Sequence, residues 1–442
     1  MTAPIEDWSR KEKLLNWAGC YEYGINANHL HQPRSIEEVQ ELVRRVDKIK
    51  AVGTRHCFNG IADSKHNMLC TVNLNQIYHL DKHAHTVTIG PGIHYGALAT
   101  YLHENGFALE NMASLPHISV GGSIATATHG SGSTLRCLST AVEAIEFVKP
   151  NGELMRLKKG HEDFNGAVVS IGGLGIVTKY TLSIQPSFQM KQIVYLNLPM
   201  SVLKNHFEEI MSSGYSVSLY TRFQDQNIYQ VRIKSLADPN HSNHKEFDFE
   251  RFGAKKIVDR DVRSIIELPA DFSTVQRGIP GPWHERLPHI RIDSIPGATG
   301  AEVHSEYFFP IERAYEAIMA VESFRERIDP LVYTTEIRTI EADEFWLSPC
   351  YKQRSVAIHF TWKQDVKNVM QLLSVMEEKL KPLKARPHWG KLFTFTHEYL
   401  ESVYEKLPRF RQLLIKYDPH GKFRNEFLDK YIFGKKEERA KI

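Results

Sequence analysis

The chain has 442 residues, enough for two or three domains at roughly 100–200 residues each. With 42% hydrophobic and 24% charged residues it is too apolar for a disordered chain, and no apolar run approaches the roughly 18 residues of a membrane span. Lys plus Arg 55 against Asp plus Glu 52 leaves a net charge of +3 and no basic block, which argues against nucleic-acid and membrane partners. Residues 1–7 (MTAPIED) carry acids and no apolar stretch, so no secretory signal is expected. Cys20, Cys57, Cys70, Cys137 and Cys350 are scattered and show no CxxC, which disfavours disulfides and a metal site. A cytoplasmic monomer is the expectation, with the mixed-sign run 435–441 as a solvated tail.

In chain order, residues 36–45 read as an amphipathic helix entered by Ser35 as N-cap, with Glu38 three residues on. A strand at 50–52 ends at Gly53, and further strands are predicted at 68–74, 86–89, 144–149, 154–157 and 178–184. Pro150-Asn151-Gly152 turns two of these into a hairpin. Past a boundary at 185–188 glycine thins out. Longer helices are predicted at 201–213, 311–327 and 366–380, and strands at 216–222, 229–233, 304–309, 334–340 and 355–362. Residues 238–245 form a polar loop, and the segment 238–300 that contains it and the proline-rich run 280–288 is assigned no role. Both halves are α+β.

Five segments carry chemistry. The first imitates a dinucleotide fingerprint: strand 86–89, Gly90-Pro91-Gly92, a helix over 96–105, and Glu110 downstream. Its spacing is GxGxxxG, with proline inside the turn and no βαβ repeat, so a tight turn is the better reading and a nicotinamide dehydrogenase is disfavoured. The second is Gly53-Thr54-Arg55-His56-Cys57-Phe58-Asn59-Gly60 after a strand. Such a loop can cradle phosphate, although a lone loop histidine is more often structural. The third, residues 114–132 (SLPHISVGGSIATATHGSG), is small, polar and almost uncharged. It suits a backbone laid against a large anionic or planar ligand, and its spaced apolar residues are unlike a linker.

The fourth is a pair of strands. Side chains at i and i+2 share a face. Glu336 and Arg338 share one face of 334–340, and Ala357, His359 and Thr361 share one face of 355–362, opposite Val356, Ile358, Phe360 and Trp362. The polar face is either solvated or a binding wall, and His and Thr in place of Lys and Glu favour the wall. The fifth is Pro387-His388-Trp389-Gly390-Lys391, which alone could be any turn.

Together these segments resemble flavoproteins of the vanillyl-alcohol-oxidase type. Within that group they are similar to the alditol (xylitol) oxidases and, next to them, the sugar-1,4-lactone oxidases. Asp418-Pro419-His420-Gly421-Lys422-Phe423-Arg424-Asn425 is similar to the family's closing segment. The resemblance implies an α+β, two-domain FAD-binding fold. Residues 1–187 would bind FAD, joined by the tail 400–442, and residues 188–399 would form a substrate-binding cap.

Carried over by motif, His56 would bond covalently to the flavin. Gly53, Thr54 and Arg55 would hold the pyrophosphate, with Cys57 standing where the family usually has serine. Ser114, Ser119, Gly122, Thr126, Ala127, Thr128, His129, Val177 and His388 would also contact FAD. Ala113, next to the ring, would bear on oxygen access. Glu336, Arg338, Thr361, Lys391 and Ser114 would hold the substrate, with His359 in the same wall.

The implied reaction oxidises the terminal CH–OH of a small-molecule polyol such as xylitol or sorbitol by hydride transfer to flavin N5. Molecular oxygen would be the acceptor, giving hydrogen peroxide. Arg338 does not deprotonate, so Lys391, alone or with His359, is the expected activator of the hydroxyl. A sugar-1,4-lactone oxidase or dehydrogenase is the alternative, and His359-Phe360-Thr361-Trp362 favours the alditol branch. A flavin-binding protein without catalysis is disfavoured by the intact polar wall.

Overall fold

The computed structural model describes residues 13–238, 247–266, 268–294 and 301–435. Residues 1–7, nearly all of the 238–245 loop and the charged run after Lys435 lie outside them. Three short parallel strands, β1 (Leu30–His31), β2 (Lys50–Val52) and β3 (Met68–Cys70), open the chain in the order β1-β3-β2. The helix Ile36–Arg45 precedes β2, and its Ser35 N-cap accepts from Glu38 N–H at 3.2 Å, as the capping pattern predicts.

A five-stranded antiparallel sheet follows: β4 (Ile77–Asp81), β5 (Thr86–Ile89), β7 (Val142–Val148), β8 (Leu154–Lys158) and β9 (Ile176–Ser183), in the order β4-β5-β9-β7-β8. The Asn-Gly hairpin joins β7 to β8, with Gly152 at φ +82°. β5 is antiparallel to both neighbours, which removes the dinucleotide-fingerprint reading. Gly90 and Gly92 serve close packing instead: a Cβ there would sit 2.2 Å from the Leu74 carbonyl oxygen and 2.0 Å from that of Thr71. The same contact explains why β3 stops at Cys70 and not at 74. Leu74 N–H bonds back to Thr71, and the chain turns under the glycines.

Between these lies β6 (Phe107–Ala108), which pairs with β10 (Gln185–Pro186). The chain then enters a nine-stranded sheet, paired antiparallel throughout. Its strands are β11 (Gln189–Pro199), β12 (Ser216–Thr221), β13 (Asn227–Leu236), β14 (Lys255–Ile257), β15 (Gly281–Pro282), β16 (Glu302–Pro310), β17 (Val332–Ile340), β18 (Ser355–Lys363) and β19 (Arg386–Pro387). The order is β14-β11-β13-β12-β17-β18-β16-β19, with β15 on β11.

The helices Ala314–Glu322 and Val366–Leu380 belong to this sheet's layer and touch each other. The single helix expected over 311–327 is broken at Ser323, whose hydroxyl bonds back to Ala320 O at 2.7 Å, and a short helix resumes at Arg325–Ile328. Val217, Leu219, Ile337, Ile358, Phe360 and Trp362 join one continuous apolar core with Val87, Ile89, Leu98, Ile145 and Phe147 of the first sheet's layer.

Residues 418–425 return to the start of the chain. Ile49 N–H bonds to Lys422 O at 2.9 Å, Lys422 Nζ to Val43 O at 2.6 Å, and Asn425 Nδ2 to the carbonyls of Gly60, Ile61 and Asp63 at 2.9–3.1 Å. Lys50 is buried, and its Nζ bonds the carbonyls of Ile171, Gly172 and Phe423 at 3.0–3.3 Å. The polar face of β16, β17 and β18 therefore looks into the molecule, where it walls a cleft, and not out to water.

Candidate active site

A cleft of about 320 Å³ runs from Lys50 and Gly172 past the 53–58 and 114–129 loops to the face of β12, β16, β17 and β18. The two loops clasp. Ser119 N–H donates to Thr54 Oγ1 at 3.1 Å, and Thr54 N–H donates to Ser119 Oγ at 3.4 Å. Gly53 makes the clasp possible: a Cβ there would lie 2.3 Å from Ser119 Oγ. The short helix Val120–Ala125 follows at once. Arg55, Ala127 and Ile171 have φ of +60°, +54° and +44°. Left-handed backbone at non-glycine residues costs on the order of 1–3 kcal/mol each and gathers where a ligand site must be shaped.

His56 faces the cleft with its ring stacked on Trp17, centroids 5.2 Å apart. Nδ1 meets Thr54 Oγ1 at 3.0 Å, whereas Nε2 is buried with no hydrogen-bond partner among the described residues. Burial pulls this imidazole's pKa down to about 3, so it is neutral at physiological pH. The neighbouring Cys57 thiol is pushed up to about 12, also by burial.

The 387–391 segment docks on this loop. Phe58 N–H donates to Gly390 O at 2.8 Å, and Asn59 Nδ2 donates to the carbonyls of Trp389 and Lys391, both at 2.8 Å. Gly390 must lack a Cβ, which would stand 2.9 Å from Cys57 Sγ. Trp389 is buried and donates to Leu347 O at 2.7 Å, so its indole is an anchor. His388 accepts from Gly390 N–H at 3.1 Å and lines the cleft, as do Ser114, Thr126, Thr128 and Val177.

Strand register assembles the opposite wall. Tyr220, Glu336, His359 and Glu306 face one another in a row across β12, β17, β18 and β16. Glu336 accepts from Tyr220 OH at 2.9 Å and His289 Nε2 at 2.8 Å, with Arg338 Nε at 3.7 Å. Glu306 is the hub. It accepts from Arg338 Nη2 at 2.7 Å and Lys391 Nζ at 2.5 Å, and His129 Nε2 lies 3.2 Å away.

Burial would raise the pKa of both carboxyls. Lys391, His129 and Arg338 outweigh it at Glu306, and Arg338 and His289 do so at Glu336, so both stay well below the usual carboxylate range. Burial, then Lys391, holds His359 well below the ordinary imidazole value, and burial pulls Lys391 below the ordinary lysine value against the attraction of Glu306. Thr361 sits beside His359 on the same face, 6% exposed.

The cleft thus gathers the site side chains that the motifs single out except Ala127, which is buried in the core behind Thr126 and Thr128, and adds others. Glu306 and His304 belong to a strand expected from sequence but given no role. Their signal was present: Glu302, His304 and Glu306 alternate with Val303, Ser305 and Tyr307, the same period-two pattern that marked β17 and β18. Tyr220, Lys234 and His289 carried no such signal. Lys234 Nζ meets His289 Nδ1 at 3.1 Å and also bonds the Leu287 carbonyl, which turns the His289 Nε2 donor toward Glu336.

Comparison with known proteins agrees with this geometry. Residues 27–158 match the FAD binding domain family and residues 301–431 the D-arabinono-1,4-lactone oxidase family. The chain is 40% identical to an alditol oxidase of Streptomyces sp. (strain IKD472 / FERM P-14339) over 424 residues, covering 95% of this chain and 99% of that one. It is 26% identical to the L-gulonolactone oxidase of Bos taurus, with 95% and 98% covered. A crystal structure of cholesterol oxidase from B. sterolicum superimposes with a TM-score of 0.76 at 15% identity, over 95% and 96% of the two chains, and so shares the fold.

The residues present suit FAD. A buried imidazole nitrogen without a partner among the described residues, a glycine that lets the two loops clasp, and a largely apolar lining with polar groups at one end suit a planar dinucleotide. The match of residues 27–158 to the FAD binding domain family, with 40% identity to one relative over nearly the full length of both chains, places this chain in the alditol oxidase family of FAD-dependent oxidases.

Proposed function

We propose that this protein oxidises the terminal CH–OH of an alditol, of the xylitol or sorbitol class, to the aldose, with oxygen reoxidising the cofactor to give hydrogen peroxide. When bound, FAD supplies the hydride acceptor. His56 tethers it covalently, and Gly53, Thr54, Arg55, Cys57, Ser119, Gly122, Thr126, Thr128, His129, Val177 and His388 hold it. Residues 1–187 with the tail 400–442 form the cofactor-binding unit, and residues 188–399 form the cap.

One observation carries the reading. The wall opposite the loops places two carboxylates, Glu306 and Glu336, against two cations, Arg338 and Lys391, so the charges within this cluster cancel. An uncharged chain of hydroxyls offers only hydrogen bonds, and a charge-balanced cluster dense in donors and acceptors is its complement. Ser114, Glu336, Arg338, Thr361 and Lys391 grip the polyol. The Glu306 carboxylate 2.5 Å from Nζ opposes the effect of burial and favours the protonated amine, so Lys391 donates to the reacting oxygen together with Arg338. The role of base then falls to neutral His359.

An anaerobic panel of polyols and 1,4-lactones, followed by flavin absorbance, tests this. Bleaching by xylitol or sorbitol ahead of any lactone is expected. The match of residues 301–431 to the D-arabinono-1,4-lactone oxidase family favours a second reading, a sugar-1,4-lactone oxidase. Bleaching by lactones alone would select it. Denatured protein should carry its yellow colour into the acid pellet, and a colourless pellet would sink the His56 tether.

A further inference from the structure

His359 does not stand alone on the cleft face. Its Nε2 lies 3.3 Å from Nδ1 of His304 on the neighbouring strand, and Nε2 of His304 lies 3.1 Å from Glu302 Oε1. Phe58 stacks on the His304 ring at 4.4 Å and fixes its plane. An ionised carboxylate only accepts, so His304 carries its proton on Nε2 and presents Nδ1 as an acceptor. His359 must then donate from Nε2, which leaves its Nδ1 as a lone pair with no hydrogen bond among the described residues.

We propose that His359, His304 and Glu302 form a proton relay that takes the hydroxyl proton from the substrate. His359 is the group that touches substrate, and His304 and Glu302 act through it. The proposal rests on the polyol reading. The substrate O–H bond breaks and its proton bonds to His359 Nδ1. The proton on His359 Nε2 passes to His304 Nδ1, and the proton on His304 Nε2 passes to Glu302. One proton enters, one arrives, and no electrons travel with it; the carbinol's electron pair leaves with its hydride.

This answers a difficulty that the site creates. Lys391 from the loop after β19, Arg338 and Glu336 from β17, and Glu306 and His304 from β16 all face His359. Burial and the cations make the free imidazole a poor proton acceptor. In the relay neither imidazole becomes charged; both only exchange tautomers, and the proton rests on a carboxylate. Glu302 opens β16 and is itself buried, so the relay ends on a carboxylate held inside the protein.

The test uses FAD-loaded enzyme with ¹⁵N-labelled histidine, in the wild type, His304→Gln and Glu302→Gln. Glutamine at 304 keeps an acceptor toward His359 and a donor toward Glu302 but passes no proton. Anaerobic reduction by xylitol is expected to slow about 10²-fold in H304Q and about tenfold in E302Q. The xylitol Kd should stay within about twofold, because binding is not the step affected. The nitrogen spectrum of the wild type should contain two neutral Nε2–H imidazoles that H304Q and E302Q perturb.

H304Q reduced at the wild-type rate, or His304 protonated on Nδ1, overturns the relay and leaves the polyol reading standing. A wild-type enzyme that no polyol reduces overturns both. Should H304Q not fold, E302Q and the wild-type spectrum decide.

Discussion

Glu306 shows how much one side chain can organise. It has no exposed side-chain surface and meets Arg338, Lys391 and His129 at once. Replacing one partner of a buried ionic cluster strands the others, at about 3–5 kcal/mol. Glu306→Gln is therefore expected to lower kcat/KM for polyols by at least about 10²-fold, with FAD still bound. Steady-state kinetics beside flavin absorbance check this, and wild-type kinetics would remove Glu306 from the machinery. Cys57 is the opposite case. Burial keeps its thiol protonated, so it is no nucleophile toward the flavin. Cys57→Ser should leave the flavin in the acid pellet unchanged, and release of the cofactor would show that sulfur takes part in the attachment.

At the scale of elements, β16, β17 and β18 form the unit that decides the site, and the helix Val366–Leu380 holds it from behind. Glu377 on that helix accepts from Tyr307 OH at 2.6 Å and from Thr394 N–H at 2.9 Å. Burial raises its pKa from 4.5 to about 7. Between those two pH values the folded state keeps a proton that the unfolded chain has lost. The stability Glu377 contributes is thus full below about pH 4.5, falls as pH rises, and is gone above about 7. The Tm of wild type relative to Glu377→Gln should decline across that window and then level off. A difference independent of pH would mean that Glu377 is not protonated in the native state.

The strands themselves were legible, because alternation of side chains is a local property; the polar faces of 334–340 and 355–362 could be read directly. Glu306 was not singled out, since its significance depends on which strand lies beside it. His289 was illegible for a stronger reason. It sits on an irregular segment with no period, and its position comes from hydrogen bonds to Lys234, 55 residues away in sequence, and to Glu336, 47 away.

At the scale of the whole molecule, the cleft is closed by parts of the chain far apart in sequence. The Lys50 ammonium ties β2 to the carbonyls of residues 171–172 and of Phe423. A cofactor held in such a cradle couples binding to folding. With a covalent tether, Tm is expected to be independent of added FAD. In His56→Ala it should rise with FAD concentration, by the equivalent of about 2.7 kcal/mol at 100 times Kd. A thermal-shift series in FAD distinguishes the two, and a wild-type Tm that climbs with FAD would refute the tether.

Local sequence sufficed for the loops, the capped helix, the hairpin and the two-faced strands, because backbone preferences and side-chain period act over a few residues. Motif order sufficed for the flavoprotein resemblance. The union of Glu306 with Arg338 and with Lys391, 32 and 85 residues apart, was decided by strand register and by the docking of one loop on another. Those follow from packing across the entire chain, since a charge is stable in a dry interior only when folding brings its partners to it.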